Sequence, residues 1–444
     1  MMEKPNVIWI VTDQLRAQAL GVNGDPNVHT PNIDFLARTG INFTSAVSGF
    51  PLCCPFRSSM LTGEYPHKCS PGHDMLMPPD HKTIAHVMND NGYHTCYMGK
   101  WHLDGGPQNG ERAGTHHVPR ERRGGFKTWL GYENNNAQLD CWLHGHRDEE
   151  EVGMFRLAGY ETDSLTNLMM EYLDEKAGAG APFFAVLSVQ PPHNPYVASP
   201  EFSRYRPADI LFRGNVPEVE HIKKQAAYEL AGYYAMIEQI DYNVGRLMKR
   251  LKDLELLERT HIIFFSDHGD MHGSHGQFRK TTAYEEAVRI PFIISGEQQG
   301  GHEVGRRTGN VPEALVNHVD IAPTTLGLCG IPVPRWMKGY DYSPFRFMDR
   351  PFIDEIPDSA FLQSVIPTGH FDSVNKPWRG IITKDGFKYV CFEGADWMLY
   401  DLNSDPLEQV NMAHDNRFSK LRERLKARLE KWIDDTDDTF KLIK

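Results

Sequence analysis

The chain has 444 residues, 40% hydrophobic and 24% charged, with 47 Lys and Arg against 59 Asp and Glu, a formal charge of −12. Such a chain can bury one large core or two ordinary ones, which excludes a disordered tail or a mini-protein. The acidic balance argues against a protein that binds by neutralising nucleic-acid phosphates.

In chain order, residues 7–11 form an apolar run too short for a signal-peptide core and without a small-residue cleavage site, so they read as a buried strand. Thr30 as a capping hydroxyl and Pro31 at the first helical position open a helix through Ile33, Leu36 and Ala37 that Gly40 closes. Runs at 93–98, 183–189, 261–265 and 290–294 repeat the strand pattern between helical stretches, which predicts an α/β sheet buried on both faces. Before the run at 261, Leu230, Tyr234, Ile237, Ile240, Val244, Leu247 and Leu251 recur in steps of three and four and predict a long helix with one face on that sheet. The stretch 105–125, rich in Gly, Arg and His, reads as a long binding loop. Residues 116–127 suit either a solvated face or a substrate rim, while 133–136 and 142–147 offer amides, an aromatic face and cations suited to sugar hydroxyls and acidic groups.

After about Pro344 the texture changes. Residues 380–393 read as two strands around an Asp385-Gly386 turn and 397–402 as a third, with Leu421, Leu425, Leu429 and Trp432 striping a helix that packs on this small antiparallel sheet. No stretch approaches the roughly 20 apolar residues of a membrane helix, so no membrane partner is expected. Seven cysteines (Cys53, Cys54, Cys69, Cys96, Cys141, Cys329, Cys391) lack C-x-x-C spacing, which indicates neither a disulfide framework nor a zinc knuckle and makes the cytoplasm the expected compartment.

The strongest local signal is Cys53-Cys54-Pro55-Phe56-Arg57, followed by Thr62-Gly63. Taken alone, such a cysteine is a packed thiol, a thiolate activated by nearby positive charge, or a site of modification. Other chemistry-bearing segments follow in order: Asp13-Gln14 at the end of the first strand, Gly99-Lys100-Trp101-His102, Gln190-Pro191-Pro192-His193, Ser266-Asp267-His268-Gly269-Asp270, and Lys280. With Thr30-Pro31-Asn32-Ile33-Asp34 and the C-x-P-x-R spelling, this series resembles the type I sulfatases of the alkaline-phosphatase-like superfamily.

The resemblance implies a large mixed sheet sandwiched by helices, with a smaller C-terminal antiparallel sheet plus helix, divided as a catalytic domain 1–344 and a subdomain 345–444. It implies that Cys53, not Cys54, is oxidised to Cα-formylglycine by a formylglycine-generating enzyme. The hydrated aldehyde then supplies the nucleophilic oxygen and is regenerated as sulfate leaves, with no attack of water on sulfur. By the same resemblance Asp13, Gln14, residue 53, Asp267 and His268 hold one divalent cation. Ca²⁺ comes first, and the carboxamide and imidazole, where many relatives carry Asp and Asn, also admit Mn²⁺ or another divalent ion. Arg57 and Lys100 are expected to steady the formylglycine and the sulfate. His102 is expected to act as the base that deprotonates the formylglycine hydroxyl, and His193 with Lys280 to face the leaving oxygen as general acid. His272 and His275 are assigned to the loop that shapes the pocket, and His67, His261 and His318 to bystander roles.

The expected activity is hydrolysis of sulfate monoesters on a small sulfated saccharide. Two alternatives are a phosphonate monoester hydrolase or phosphodiesterase of the same superfamily, and a silent sulfated-glycan binder in which Cys53 remains a thiol.

Overall fold

The computed structural model describes residues 4–106, 112–296, 306–347, 350, 355–369 and 374–442. Ten strands among them form one sheet: β1 (Asn6–Thr12), β2 (Ile41–Asn42), β3 (His94–Lys100), β4 (Thr128–Tyr132), β5 (Trp142–Arg147), β6 (Glu150–Arg156), β7 (Phe183–Ser188), β8 (Thr260–Ser266), β9 (Phe292–Gly296) and β10 (Gly309–Asn310). Their spatial order is β10-β2-β9-β8-β1-β7-β3-β4-β5-β6. The central strands β8, β1, β7, β3 and β4 run parallel, with Thr12 opposite Ser266 and Gly99 opposite Ser188. β9, β5 and β6 are antiparallel to their neighbours.

The period of two along β1 divides the core. Val7, Trp9 and Val11 face a cluster that includes Phe56, Met60 and Leu61, while Ile8 and Ile10 face Leu165, Met169, Leu230, Tyr234, Ile237, Ile240 and Val244. Helices therefore cover both faces, which is why these strands read as unbroken apolar runs. Among these helices are α1 (Pro31–Thr39), α2 (Cys53–Thr62), α3 (Glu161–Ala177) and α4 (Glu220–Asp253). The seven apolar positions predicted for the long helix are all buried on α4.

A second sheet of four antiparallel strands, Ser359–Ser364, Trp378–Thr383, Phe387–Phe392 and Ala395–Asp401, follows near the C-terminus. Gly386 makes its turn at φ +86°, the left-handed conformation that suits glycine. Helix α5 (Ser419–Asp435) lays Leu425, Leu429 and Trp432 on one face of it. The other face packs on Val47, Ala283, Val288 and Leu315. Buried Lys388 ties this sheet to the chain after Lys280 through Glu285 (2.8 Å) and also holds Glu408 (2.6 Å), which follows the last strand. No helix of the described residues is long and apolar enough to cross a membrane.

Several local expectations change. Thr30 precedes α1 but its hydroxyl does not cap the helix. It donates to Asp34 Oδ1 and accepts from the Gly21 amide, both at 2.9 Å, so it fastens the preceding loop instead. Gly40 ends α1 at φ −117°, and glycine is needed there because a Cβ would lie 2.2 Å from the Ile294 carbonyl. The run at 290–294 becomes a strand only from Phe292, since Pro291 has no amide to pair. Residues 142–147 form β5, with Trp142 and Arg147 half-buried at its ends.

Gly99 shows how tightly the functional edge is drawn. It sits at φ +108°, and a Cβ there would lie 2.0 Å from the Ser188 carbonyl of β7. Gly99→Ala combines overpacking with backbone strain and is expected to cost about 3 kcal/mol or more, read as a lower urea midpoint with an unchanged slope.

Candidate active site

The parallel strands deliver their carboxyl ends to one edge, the place where α/β sheets build sites. Asp13 and Gln14 follow β1, Asp267 and His268 follow β8, Lys100 ends β3, and Gln190 to His193 follow β7. Cys53 opens α2, every residue of which is buried. The positive end of the helix dipole thus lies at residue 53 and favours negative charge there.

The donor atoms of Asp13, Cys53, Asp267 and His268 all lie within 4.8 Å of one another, and all four side chains are buried. Cys53 Sγ lies 3.1 Å from His268 Nε2, 3.1 Å from Lys280 Nζ and 3.5 Å from Asp13 Oδ1. His268 Nδ1–H donates to the Gly269 carbonyl at 2.9 Å, which leaves the Nε2 lone pair facing the cluster. Burial pushes the His268 pKa down and keeps the ring in that neutral, ligating form. Gln14, at φ +71°, gives its backbone amide to Asp267 Oδ1 (3.0 Å). Its side-chain nitrogen is held by Asp270 Oδ2 at 2.7 Å and Tyr196 at 3.1 Å, so Oε1 turns inward, 3.2 Å from Lys280 Nζ. Two carboxylates, an imidazole nitrogen and an amide oxygen converging beside residue 53 form a donor set that fits a divalent cation.

Cations balance these carboxylates. Lys100 Nζ lies 2.6 Å from Asp13 Oδ2, and Arg57 Nη2 lies 3.5 Å from Asp13 and 3.2 Å from Asp267. Burial alone would raise the Asp13 pKa; Lys100 first, then Lys280 and Arg57, outweigh it and hold the carboxyl well below the usual range. Arg57 Nη1 also donates to the Lys100 carbonyl (3.1 Å) and Ser188 Oγ (2.8 Å), so this side chain clamps the ends of four strands. Its hydrogen bonds and ion pairs run to those strand ends and carboxylates, and Lys280 is the cation that touches Cys53.

His193 Nδ1–H donates to the Asn194 carbonyl at 2.7 Å, and Nε2 accepts from Lys280 Nζ at 3.1 Å. Burial, then the Lys280 charge, holds its imidazole well below the usual range. His102 pairs instead with Asp74, its Nε2 2.6 Å from Asp74 Oδ1. Among the predicted catalytic and ligating residues, Asp13, Gln14, Cys53, Arg57, Lys100, His193, Asp267, His268 and Lys280 form one connected network, while His102 joins a separate pair.

The loops give a mixed outcome. Arg123 is buried, bonding Glu151 (3.0 Å), His146 (2.8 Å) and the Val118 carbonyl (3.0 Å), and so is structural and not a pocket rim. Arg122 and His116 both hold Asp104, at 3.1 and 2.7 Å. Glu133 does not face a ligand, since its carboxylate accepts the amides of Leu103, Asp104 and Gly106. Asn136 is exposed, and its Oδ1 accepts from Gln190 at 2.7 Å. His272 packs on Tyr233 and Tyr196 with ring centroids 4.3 and 5.1 Å away, in the wall behind Asp270. His275 stacks on Tyr284.

Sequence reasoning missed Asp270, which orients Gln14, and Asp74. Asp270 closes the Asp267-His268-Gly269-Asp270 segment and could have been suspected from it; nothing near Asp74 in sequence marks that residue.

The family model described as Sulfatase matches residues 5–331, and that described as N-sulphoglucosamine sulphohydrolase, C-terminal, matches residues 273–435. The chain is 34% identical to an ulvan-active sulfatase of Formosa agariphila, over 99% of this chain and 83% of that protein. It is 30% identical to an endo-4-O-sulfatase of Bacteroides thetaiotaomicron, over 82% of this chain and 77% of the other. The solved structure of yidJ from Bacteroides fragilis superposes with a TM-score of 0.86 at 26% identity, covering 99% of this chain and 97% of that one.

Proposed function

The chain belongs to the sulfatase family and is a sulfuric ester hydrolase, and on that premise we propose that it hydrolyses sulfate monoesters on small sulfated saccharides, with Cys53 converted to Cα-formylglycine beside one divalent cation. The observation that carries this reading is the buried convergence of Asp13, Cys53, Asp267 and His268, with Lys280 in contact with both Cys53 and His193. Saccharide substrates are supported by the relatives, which are named for activity on ulvan and for N-acetylglucosamine-6-O-sulfatase activity. A formylglycine-generating enzyme is the maturation partner that this reading requires. The proposed division is a catalytic domain 1–344 and a subdomain 345–444, although the second family model crosses that boundary.

Formylglycine would supply the attacking oxygen, and a cation held by Asp13, Gln14, Asp267 and His268 would supply Lewis-acid stabilisation of charge there, with Ca²⁺ the first candidate. The chain's own residues do the rest. Arg57 orients Asp13 and Asp267; Lys100 and Lys280 place positive charge where sulfuryl oxygens bind. His193 with Lys280 delivers a proton to the departing alkoxide, and His102 removes the proton from the hydroxyl at residue 53. In that last step the O–H bond breaks, its electron pair restores the carbonyl, and sulfate leaves with the pair of the broken carbon–oxygen bond.

The test is sulfate release from defined sulfated mono- and disaccharides, with p-nitrophenyl sulfate and phenyl phosphonate compared in parallel. Saccharide sulfate turnover is expected, with the phosphonate cleaved far more slowly; a phosphonate cleaved much faster favours the phosphonate hydrolase reading. Exhaustive chelation should lower sulfate release by at least about 100-fold, the scale of losing electrostatic stabilisation of the transition state, and Ca²⁺ should restore it.

A further inference from the structure

His102 stands in an unusual setting. It is 1% exposed, lies at φ +56°, and follows by two residues the Lys100 that ends β3. Its Nε2 is 2.6 Å from Asp74 Oδ1, shorter than most bonds between a ring N–H and a carboxylate. Its other nitrogen, Nδ1, is buried with no hydrogen-bond partner.

Asp74 is held in place from several directions. The Met77 amide donates to the Leu103 carbonyl at 2.9 Å, and Leu76 bridges Asp104, so the Asp74 loop pairs with the segment that carries His102. The Met75 carbonyl accepts from Cys54 Sγ at 3.1 Å, which ties the same loop to the first turn of α2, next to Cys53. His73 Nε2 lies 3.4 Å from the second Asp74 oxygen, and its ring stands edge-on to His102 with centroids 5.5 Å apart. Burial would raise the Asp74 pKa, but the hydrogen bond from His102 and the Lys100 charge keep the carboxyl well below the usual range. A charged carboxylate therefore faces one edge of the ring, and an unshared nitrogen remains on the other.

We propose that Asp74 is a positioning residue for His102: by accepting Nε2–H it fixes the tautomer whose lone pair is on Nδ1, and its charge stabilises the imidazolium formed when Nδ1 takes the proton from residue 53. This rests on the reading of His102 as the base in sulfate release. The logic is that of a carboxylate orienting a catalytic imidazole, in which the carboxylate does not itself become protonated. Asp74 has a half-exposed side chain, so its removal leaves no buried void that would explain lost activity through unfolding.

Two measurements on the full chain test the proposal. The first needs no turnover: ¹⁵N-histidine spectra, with His102 identified by the signal lost in His102→Gln. His102 should be protonated at Nε2 and bare at Nδ1, and Asp74→Ala should spread it between the two tautomers. A proton at Nδ1 in the unsubstituted protein overturns the proposal. The second uses protein whose conversion at Cys53 has been verified by mass. Asp74→Ala should lower kcat by about 100-fold, within the range attributed to general-base catalysis, while KM changes less than about twofold. Asp74→Glu should recover part of kcat, and Asp74→Ala should add no further loss to His102→Gln. Full kcat in Asp74→Ala, with kcat lost in His102→Gln, overturns the proposal alone. Full kcat in His102→Gln overturns the base reading and the proposal with it.

Discussion

Cys53→Ala is expected to abolish sulfate release, with a loss of roughly 10⁵–10⁶-fold, comparable to removing the nucleophile of a covalent hydrolase. The geometry gives the reason for so large an effect. Lys280 Nζ and His268 Nε2 both lie 3.1 Å from Cys53 Sγ, and Asp13 Oδ1 lies 3.5 Å away, so the reacting atom at this position would touch the cation ligands and the acid group at once. The side chain is buried at the start of a wholly buried helix, so alanine removes a small group without exposing a surface. The fold should persist, and substrate binding at the cations should survive while turnover is lost. Cys54→Ala is the contrasting variant. That thiol contacts Ser70 Oγ and the Met75 carbonyl, and burial pushes its pKa up to about 12, which suits a packed thiol. Its loss should cost stability of the size of a small core truncation and leave most of kcat.

Asp13→Ala is expected to remove cation binding and to destabilise the chain as well. Asp13 sits 2.6 Å from Lys100 and 3.5 Å from Arg57, all three with fully buried side chains. With it gone, Arg57, Lys100 and Lys280 face Asp267 as the remaining carboxylate of the described cluster. Breaking a buried pair from one side typically costs about 3–5 kcal/mol, because a charge is left without its partner. Urea unfolding in the presence of chelator isolates this term from metal linkage. Calorimetric titration with Ca²⁺ then reads the second effect, an affinity loss of at least about 100-fold, since residues that merely support a ligand already cost 10–100-fold. An unchanged midpoint would mean that Lys100 and Arg57 find other partners and that the charge balance inferred here is wrong.

The parts of this architecture that could be read from sequence are those with one strong physical cause. The central strands were visible because helices bury both faces and leave runs such as 7–11 and 262–265 apolar throughout. The long helix was visible because seven buried positions on α4 recur every three or four residues. β4, β5 and β6 escaped notice. β6 is an exposed edge strand with Glu150, Glu151 and Arg156, and its composition suits a solvated loop as well as a protected edge. The site was legible only through resemblance. Cys53 is separated by 215 residues from His268 and by 227 from Lys280, and no periodicity joins such positions. What each residue grips was hidden for the same reason. Arg57 turns out to clamp strand ends, Glu133 serves backbone amides and Arg123 is buried against Glu151, because these partners come from chain segments that meet only in the folded state.

The most direct test of the central claim is peptide mass spectrometry at residue 53, run on protein made in a host that installs formylglycine and assayed for sulfate release from the same preparation. The account predicts CHO in place of CH₂SH at Cys53, in a fraction that rises and falls with specific activity, and an intact thiol at Cys54. A preparation that releases sulfate at full rate while Cys53 remains a thiol would contradict it.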